Sequence, residues 1–296
     1  MNNLQAPLVS VIVPTYHDWE RLKICIDALS KQTYSHEKYE VIIVNNDPDD
    51  SPPELSLPDN FRIISEGKPG SYAARNEGLK GNKAEILAFI DSDCIPDTEW
   101  ILNGVNLIKN DNKSVHLVAG HIDVFSHNRK QPSNAELLDL AIAFPQKKYV
   151  ENSSFGVTAN LFVKSEVIDQ LGNFNSKLKS GGDKEFCHRA VKQGLQIAYS
   201  KDAIVKHPAR KTVREIFNKT KRMTGGRLDK LETKKVQYHS FFRFSKPPLR
   251  GFLYVFQASE LTIIERIRAS SVLFVIWYAH FSEWFRIAVL NKKSIR

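Results

Sequence analysis

Two carboxylates stand one residue apart in the segment Asp91-Ser92-Asp93, directly after the apolar run 86–90. Such a run predicts a buried strand, and Pro96 prevents that strand from continuing. In open α/β sheets, ligands bind outside the carboxyl ends of the strands. Carboxylates in that position form a hard oxygen site suited to Mg2+ or Mn2+ carrying a diphosphate. The alternative is a polar turn in which Asp97 or Thr98 caps the next helix.

Other acidic and amide side chains follow strands elsewhere in the sequence. Asn45-Asn46-Asp47 ends a predicted strand at 39–44, and Gly181-Gly182-Asp183-Lys184-Glu185 precedes a predicted helix at 183–193. The carboxyl ends of parallel strands meet at one edge of a sheet, so these groups are expected to converge. Asp183 either caps its helix or serves as a general base that takes a proton from an attacking hydroxyl.

A cation and an imidazole complete the candidate residues. Arg75 lies in a helix that opens at 70–76, where helix amides could receive phosphate or sugar oxygens and the guanidinium could reach an anion. The alternative there is an ordinary Ser-capped helix with a surface arginine. His207 follows a predicted strand, and near a cation held by Asp93 its imidazole is a suitable further ligand, although a lone histidine is usually structural.

The elements that must position these residues alternate along the chain. Predicted strands at 8–14, 39–44, 61–64 and 86–90 are separated by helices near 18–32 and after 71. This order predicts an α/β fold with a doubly wound, mostly parallel sheet and helices on both faces. Further strands are expected at 117–125, 158–163, 197–199 and 203–205. Helices are expected at 136–144, 183–193 and 212–222, and 251–290 is mainly helical.

Charge is distributed unevenly over the 296 residues. The net charge is +9, yet residues 1–200 carry −5 and residues 201–296 carry +14. The basic third predicts an anionic partner, which could be a phosphate-bearing ligand, a membrane surface or nucleic acid. Three scattered cysteines and an N-terminus without a secretory signal favour the cytoplasm.

Several function classes lack their signatures. There is no Gly-x-Gly-x-x-Gly after the first strand, no P-loop, and no Gly-x-Ser-x-Gly elbow. Zinc spacings and nucleic-acid-binding motifs are also missing, so we expect no nucleic-acid partner. A nucleotidylyltransferase would have a Gly-rich basic loop after its first strand, whereas Pro14-Thr15-Tyr16-His17-Asp18 has no glycine.

Taken in order, segments 8–15, 40–47, 73–78, 89–93, 156–160 and 181–186 resemble the family-2 glycosyltransferases of GT-A fold. The resemblance covers roughly residues 8–228. It implies an inverting, metal-dependent enzyme that moves a sugar from a nucleotide-diphosphate sugar, with a UDP-sugar favoured, to a saccharide acceptor, free or lipid-linked. A non-catalytic scaffold that retains the fold is the remaining alternative.

The resemblance also implies residue roles. Asp93 and His207 would hold Mn2+ or Mg2+, and Asp183 would be the base, with Glu185 as the competing candidate. The donor side would comprise Pro14, Thr15, Asn45, Asn46, Asp47, Arg75, Asn76, Asp91, Ser92 and Arg222. The acceptor side would comprise Trp100, Thr158 and Asn160. Asn45-Asn46 departs from the Asp-Asp or Asp-Asn of many members, and Gly-Gly-Asp departs from the commoner Glu-Asp.

The C-terminal region has its own character. We expect a catalytic domain at 1–228 and a basic, mainly helical extension at 229–296. Residues 269–282 contain no formal charge. This uncharged run is too short to predict a membrane span. Nearby aromatic and basic residues favour contact of 240–296 with the inner face of the cell membrane, and a helix pair in a homodimer is the rival.

Overall fold

A computed structural model describes residues 8–52, 54–109, 114–229 and 241–294. These residues form one sheet of eight strands in the order β3-β2-β1-β4-β7-β6-β8-β5. The strands are β1 Val9–Thr15, β2 Tyr39–Asn45, β3 Phe61–Ser65, β4 Ile86–Ile90, β5 Ile95–Pro96, β6 Val115–Phe125, β7 Asn160–Lys164 and β8 Gln196–Pro208.

Four neighbouring strands of this sheet run parallel. β1 pairs with both β2 and β4, and β2 pairs with β3, so that Thr15 stands beside Asn45 and Asn45 beside Ser65. β1 and β4 are buried along their whole length, as expected for strands covered on both faces. The predicted α/β fold with a mostly parallel sheet is confirmed, and the carboxyl ends of β1, β2 and β4 meet at one edge.

The second half of the sheet differs from the prediction in two ways. β7 runs antiparallel to both β4 and β6. The two short strands expected at 197–199 and 203–205 are one strand, β8. Its polar middle, residues 200–202, stays within the strand, and the Ser200 hydroxyl accepts a hydrogen bond from the Ala203 amide there. Pro96 lies in β5 at the sheet edge, where a missing N–H is tolerated.

The helices follow in chain order. They are α1 Trp19–Ser30, α2 Ser71–Gly78, α3 Trp100–Ile108, α4 Asn134–Ile142, α5 Gln146–Ser153, α6 Ser165–Leu171, α7 Gly182–Lys192, α8 Val213–Leu228, α9 Phe241–Ser245, α10 Leu249–Phe256 and α11 Ile263–Trp284. A 3-10 turn at His36–Lys38 precedes β2, and a π turn at Phe285–Val289 follows α11.

Three helix starts differ from the sequence expectation. α3 begins at Trp100 with Glu99 at the N-cap, so neither Asp97 nor Thr98 caps it. Gly70, with a φ of 121°, is the N-cap of α2, and Ser71 is already helical. α7 begins at Gly182, and Asp183 therefore lies inside the first turn instead of capping it.

The chain divides into two compact units. The first comprises 1–123, 145–177 and 182–207, and the second comprises 124–144, 178–181 and 208–296. In the second unit, α4, α8, α10 and α11 share a core that includes Leu138, Ile216, Val255, Val272 and Leu273. These divisions differ from the expected boundary at 228, which stays a prediction about where the catalytic function ends. Residues 230–240 and 295–296 of the expected extension lie outside the described residues.

Candidate active site

The turn after β4 carries the Asp-Ser-Asp segment at the carboxyl edge of the sheet. Asp91 accepts a hydrogen bond from Arg75, which α2 holds almost completely buried. The Arg75 guanidinium also lies over the Tyr72 ring, 5.9 Å from its centroid. Ser92 is buried between the two carboxylates. A buried guanidinium thus fixes the first carboxylate of the segment and leaves its second oxygen for another partner.

The second carboxylate faces a histidine from β8. Asp93 Oδ1 lies 3.7 Å from His207 Nε2. Burial raises the pKa of the Asp93 carboxyl, while the charges of His207 and Arg21 act in the opposite direction. One ligand atom each from Asp93, Cys94 and His207 lies within 4.8 Å of the other two.

The donor set fits a divalent cation. A carboxylate oxygen is a ligand that Mn2+ and Mg2+ prefer, and an imidazole nitrogen is a further possible ligand. Soft metals prefer sulfur ligands instead. Burial raises the pKa of the Cys94 thiol well above its ordinary value, which keeps it protonated instead of a thiolate ligand. Asp93 and His207 are therefore the residues of this cluster that could hold the ion.

Sequence analysis missed Arg21, which reaches the same carboxylate. Its Nη1 lies 3.3 Å from Asp93 Oδ2, and its Nη2 lies 2.8 Å from Asp18 Oδ2. Asp18, at the N-cap of α1, makes no side-chain cap bond and pairs with Arg21 instead. The spacing of three residues signals that local pair. The contact with Asp93 has no signal in the sequence, because it depends on how α1 packs beside β5, the strand that follows Asp93.

Asp183 reaches the site from the first turn of α7. Its Oδ1 accepts a hydrogen bond from the Thr158 hydroxyl at 3.0 Å. Burial raises the pKa of the Asp183 carboxyl, and the Asp91 charge adds to the rise, whereas Arg75 and Thr158 lower it. Asp183 is thus electrostatically coupled to the Arg75–Asp91 pair, and its raised pKa makes it a stronger proton acceptor than an ordinary aspartate.

Two glycines bring Asp183 into place. Gly181 has a φ of 70°, which turns the chain into α7. The Gly182 amide donates to the Tyr72 hydroxyl at 2.8 Å, and a Cβ added at Gly182 would lie 2.6 Å from the Tyr72 ring. The close approach of α7 to α2 therefore requires glycine at 182.

Glu185, the competing base candidate, has a different environment. Its Oε1 lies 2.8 Å from Arg189 Nε, one turn further along α7. Arg189 also donates to the backbone carbonyls of Leu171 and Asn173. This pairing gives Glu185 a structural role, and Asp183 is the better candidate for the base.

The two asparagines after β2 shape loops with their side chains. Asn45 Nδ2 donates to the carbonyls of Asp47 and Asp50, each at 2.8 Å. Asn46 Nδ2 donates to the carbonyls of Glu66 and Lys68, and its Oδ1 accepts from the Gly70 amide. Their amides are thus occupied by the backbone, which explains why asparagine, with both a donor and an acceptor, serves here.

The end of β1 has a different character. Pro14 and Thr15 are buried, and the Thr15 hydroxyl makes no hydrogen bond within the described ranges. Asp47 Oδ2 lies 2.9 Å from His17 Nε2. Asp47 therefore offers an accessible carboxylate at the edge where the predicted donor pocket would lie, whereas the Thr15 hydroxyl at the same edge is enclosed.

Three predicted contact residues belong to the framework. Asn76 binds the backbone of Phe174 through both its amide groups. Trp100 and Asn160 are fully enclosed, and the Trp100 indole donates to Asn160 Oδ1 at 2.9 Å. Asn160 Nδ2 also donates to the carbonyls of His121 and Ala203. Neither Trp100 nor Asn160 exposes a group to an acceptor. Thr158 is buried as well and reaches the site through its bond to Asp183, so the acceptor roles of these residues stay predictions.

Arg222 was expected on the donor side. It is exposed on α8 in the second compact unit. Its role on the donor side stays a prediction.

The known sequences that this chain resembles are glycosyltransferases. Residues 10–172 match the family model described as Glycosyl transferase family 2. The chain is 34% identical over 253 residues to Glycosyltransferase AglE of Haloferax volcanii, which covers 83% of this chain and 82% of that protein. It is 26% identical over 213 residues to the poly(ribitol-phosphate) beta-glucosyltransferase of Bacillus spizizenii, covering 66% of this chain and 31% of that protein.

Solved structures share the fold. A mannosyltransferase from Pyrobaculum calidifontis, in complex with GDP-Man and Mn2+, aligns with a TM-score of 0.56 at 15% identity over 99% of this chain and 77% of that chain. TarS 1–349 of S. aureus in complex with UDP aligns with a TM-score of 0.52 at 14% identity, over 95% and 90% of the two chains. At these identities the likeness establishes the fold.

Proposed function

Since the chain belongs to glycosyl transferase family 2, we propose that it transfers a sugar from a nucleotide-diphosphate sugar to a hydroxyl of a saccharide acceptor, with inversion. The observation that carries this proposal is geometric: Arg75 binds Asp91 at the carboxyl edge of the sheet, and Asp183, held by Thr158, lies in a helix that contacts Tyr72 on the helix that carries Arg75. A single displacement needs a base on one side of the anomeric carbon and stabilisation of the leaving group on the other.

Asp183 would act as the base. Its carboxylate accepts the proton of the acceptor hydroxyl as the oxygen attacks the anomeric carbon. The bond to Thr158 fixes the carboxylate, and burial strengthens its basicity. After transfer, the proton resides on Asp183, from which it returns to solvent.

Asp93 and His207 would hold Mn2+ or Mg2+. When bound, the ion supplies positive charge that neutralises the departing diphosphate. The oxygen and nitrogen donors favour such an ion, and the Pyrobaculum calidifontis mannosyltransferase was solved in complex with GDP-Man and Mn2+. Arg75 would hold Asp91 toward the donor ribose or sugar.

The donor and acceptor are proposed at the level of chemical class. We propose a UDP-sugar as donor, bound along the edge that includes Thr15 and Asp47. TarS was solved with UDP and with UDP-GlcNAc, which supports this choice of nucleotide. A saccharide hydroxyl, free or lipid-linked, is the proposed acceptor; the names of AglE and the Bacillus spizizenii relative support glycosyl transfer itself. Action at the cytoplasmic face of the cell membrane would follow for a lipid-linked acceptor.

A thermal-shift screen tests the donor and the metal together. The protein would be heated with UDP-, GDP- and dTDP-sugars in the presence of Mn2+ or of EDTA. A saturating ligand should raise the apparent free energy of unfolding by roughly 2–4 kcal/mol. We expect a shift with UDP-sugars that EDTA abolishes, and Asp93→Asn should abolish the same metal-dependent part. A shift with another nucleotide class would correct the donor, and no shift with any would contradict the proposal.

A further inference from the structure

The C-terminal helices expose an unusual amount of apolar surface. On α11, Ile263, Ile264, Ile267, Phe274 and Tyr278 are each 58% exposed or more. Exposed apolar side chains elsewhere in the described residues are isolated, such as Ile24 on α1. A contiguous apolar surface of this kind marks an interaction site.

The exposed residues form one stripe along α11. Ile263, Ile267, Phe274, Tyr278 and Phe285 follow one another at intervals of four, seven, four and seven residues, which places them on one side of the helix. The other side contains Ala269, Val272, Leu273 and Ala279, which are buried, and its central part belongs to the core of the second unit. α11 is therefore apolar on both sides, and only one of them is covered within the described chain.

α10 continues the same surface. Leu249 and Leu253, one turn apart, are 68% and 63% exposed. Phe252 packs edge-on against Phe274, with ring centroids 5.6 Å apart, and so joins the two helices. We name the side chains of Leu249, Leu253, Ile264, Ile267, Phe274 and Tyr278 the C-terminal apolar surface.

Basic residues accompany this surface. Residues 241–294 contain eight Lys or Arg and three Asp or Glu. Two of the three acids are internally bound, because Glu283 is buried against Arg286 and Glu265 closes the capping box of Thr262. Lys246, Arg250, Lys292 and Lys293 are exposed. Apolar side chains combined with exposed cations complement a lipid bilayer, in which anionic headgroups lie over an apolar interior.

We propose that the C-terminal apolar surface binds an anionic lipid bilayer, with α11 lying in the plane of the interface. Ile263–Val289 is long and apolar enough to cross a membrane, but 39% of its most apolar 18-residue segment is buried in the protein. The uncharged run 269–282 would extend only ~21 Å as a helix, against a hydrocarbon core of ~30 Å. An interfacial helix satisfies both observations, and exposed Tyr254 and Tyr278 suit the headgroup level.

Vesicle cosedimentation tests the proposal with the full chain and needs no sugar donor, so its outcome is independent of the proposed reaction. Vesicles of phosphatidylcholine alone would be compared with vesicles that also contain phosphatidylglycerol, at low and high salt. We expect binding to the anionic vesicles that high salt weakens. Each basic residue near the surface contributes roughly fivefold in partitioning, so Lys292→Glu/Lys293→Glu should weaken binding by more than tenfold.

Matched variants distinguish vesicle binding through the C-terminal apolar surface from nonspecific binding through any exposed apolar side chain. Ile264→Asn/Ile267→Asn should lower partitioning by roughly 100-fold, whereas Ile24→Asn on α1, an isoleucine that is 52% exposed, should leave it unchanged. Circular dichroism would verify that each variant is folded. Equal binding to neutral vesicles, or equal loss with Ile24→Asn, would overturn the proposal.

Two rival occupants have their own signatures. A spanning helix would keep the protein in the membrane through alkaline carbonate extraction, whereas an interfacial helix is released. A second copy on the surface would double the mass in sedimentation velocity, and Ile264→Asn/Ile267→Asn would restore the monomer. Either result, retention or a doubled mass without vesicle binding, would contradict the bilayer proposal.

Discussion

At the residue scale, the candidate base combines burial with hydrogen bonds from neutral donors, the hydroxyls of Thr158 and Tyr72. The carboxylate form of Asp183 takes the proton, so turnover falls as the pH drops through its pKa. Because burial raises that pKa, the loss begins at a higher pH than for an exposed aspartate. The Thr158 hydroxyl acts in the opposite direction, since it stabilises the charged form.

Thr158→Val should therefore shift the acidic limb of the kcat profile upward by about one pH unit. The valine keeps the shape of threonine but removes the bond to Asp183, so the carboxylate protonates more readily. Thr158→Ser retains a hydroxyl and serves as the control, with an unchanged limb. Kinetics across pH with a saturating donor would measure both. An identical profile for the Val and Ser variants would show that Thr158 does not tune the base.

Arg21 gives a second prediction at this scale. Its guanidinium lies beside the Asp93 carboxylate, where a metal ion would add a second positive charge. Removing that charge in Arg21→Gln should tighten binding of free Mn2+ by roughly fivefold, as expected for about 1 kcal/mol of repulsion between partly exposed charges. Titration calorimetry with Mn2+ alone measures this effect, and Arg21→Lys, which keeps the charge, is the control. Weaker Mn2+ binding in Arg21→Gln would mean that Arg21 supports the metal-binding carboxylate instead.

At the element scale, the approach of α7 to α2 decides whether the site forms. A methyl group at position 182 would overlap the Tyr72 ring. Gly182→Ala should lower the free energy of unfolding by about 1–3 kcal/mol and reduce kcat, because Asp183 follows directly in the chain. Gly67→Ala is the control, since a Cβ there meets nothing closer than 3.6 Å. Chemical denaturation measures the stability, and equal effects of the two substitutions would refute the packing argument.

Strands could be predicted where the apolar pattern of the sequence matches a buried position in the sheet. β1, β2 and β4 are continuous apolar runs that end in polar residues, so both the strands and the edge carrying Asp91 could be predicted. The antiparallel direction of β7 depends on its pairing with β4 and β6, and the continuity of β8 depends on its neighbours β6 and β5, all of them distant in sequence.

The site residues that could be predicted are likewise those whose position follows from a local sequence pattern. Asp93, His207 and Asp183 lie near strand or helix ends that the pattern reveals. The internal roles of Asn76, Trp100 and Asn160 depend on partners distant in sequence, namely Phe174, His121 and Ala203. Residue type alone does not distinguish a buried polar side chain that binds the backbone from one that binds a ligand.

At the scale of the whole molecule, charge and apolar surface are segregated. The acidic first 200 residues supply the carboxylates of the candidate site, and the basic remainder includes the exposed helices α10 and α11. Each compact unit thus has a distinct surface chemistry. A chain that uses soluble donors and a membrane-bound acceptor would need both kinds of surface.

The central claim is that Asp183 is the base of a sugar transfer, and one comparison tests it most directly. Wild type and Asp183→Asn would be assayed with the donor identified by thermal shift, with turnover and donor affinity measured on the same preparations. We expect turnover to fall by roughly 100-fold or more, while the donor Kd stays within a few-fold and stability does not decline, since a buried carboxylate is replaced by a neutral group of the same shape. Glu185→Gln should retain far more activity. Full turnover in Asp183→Asn, or a loss of donor binding that matches the loss of turnover, would contradict the account.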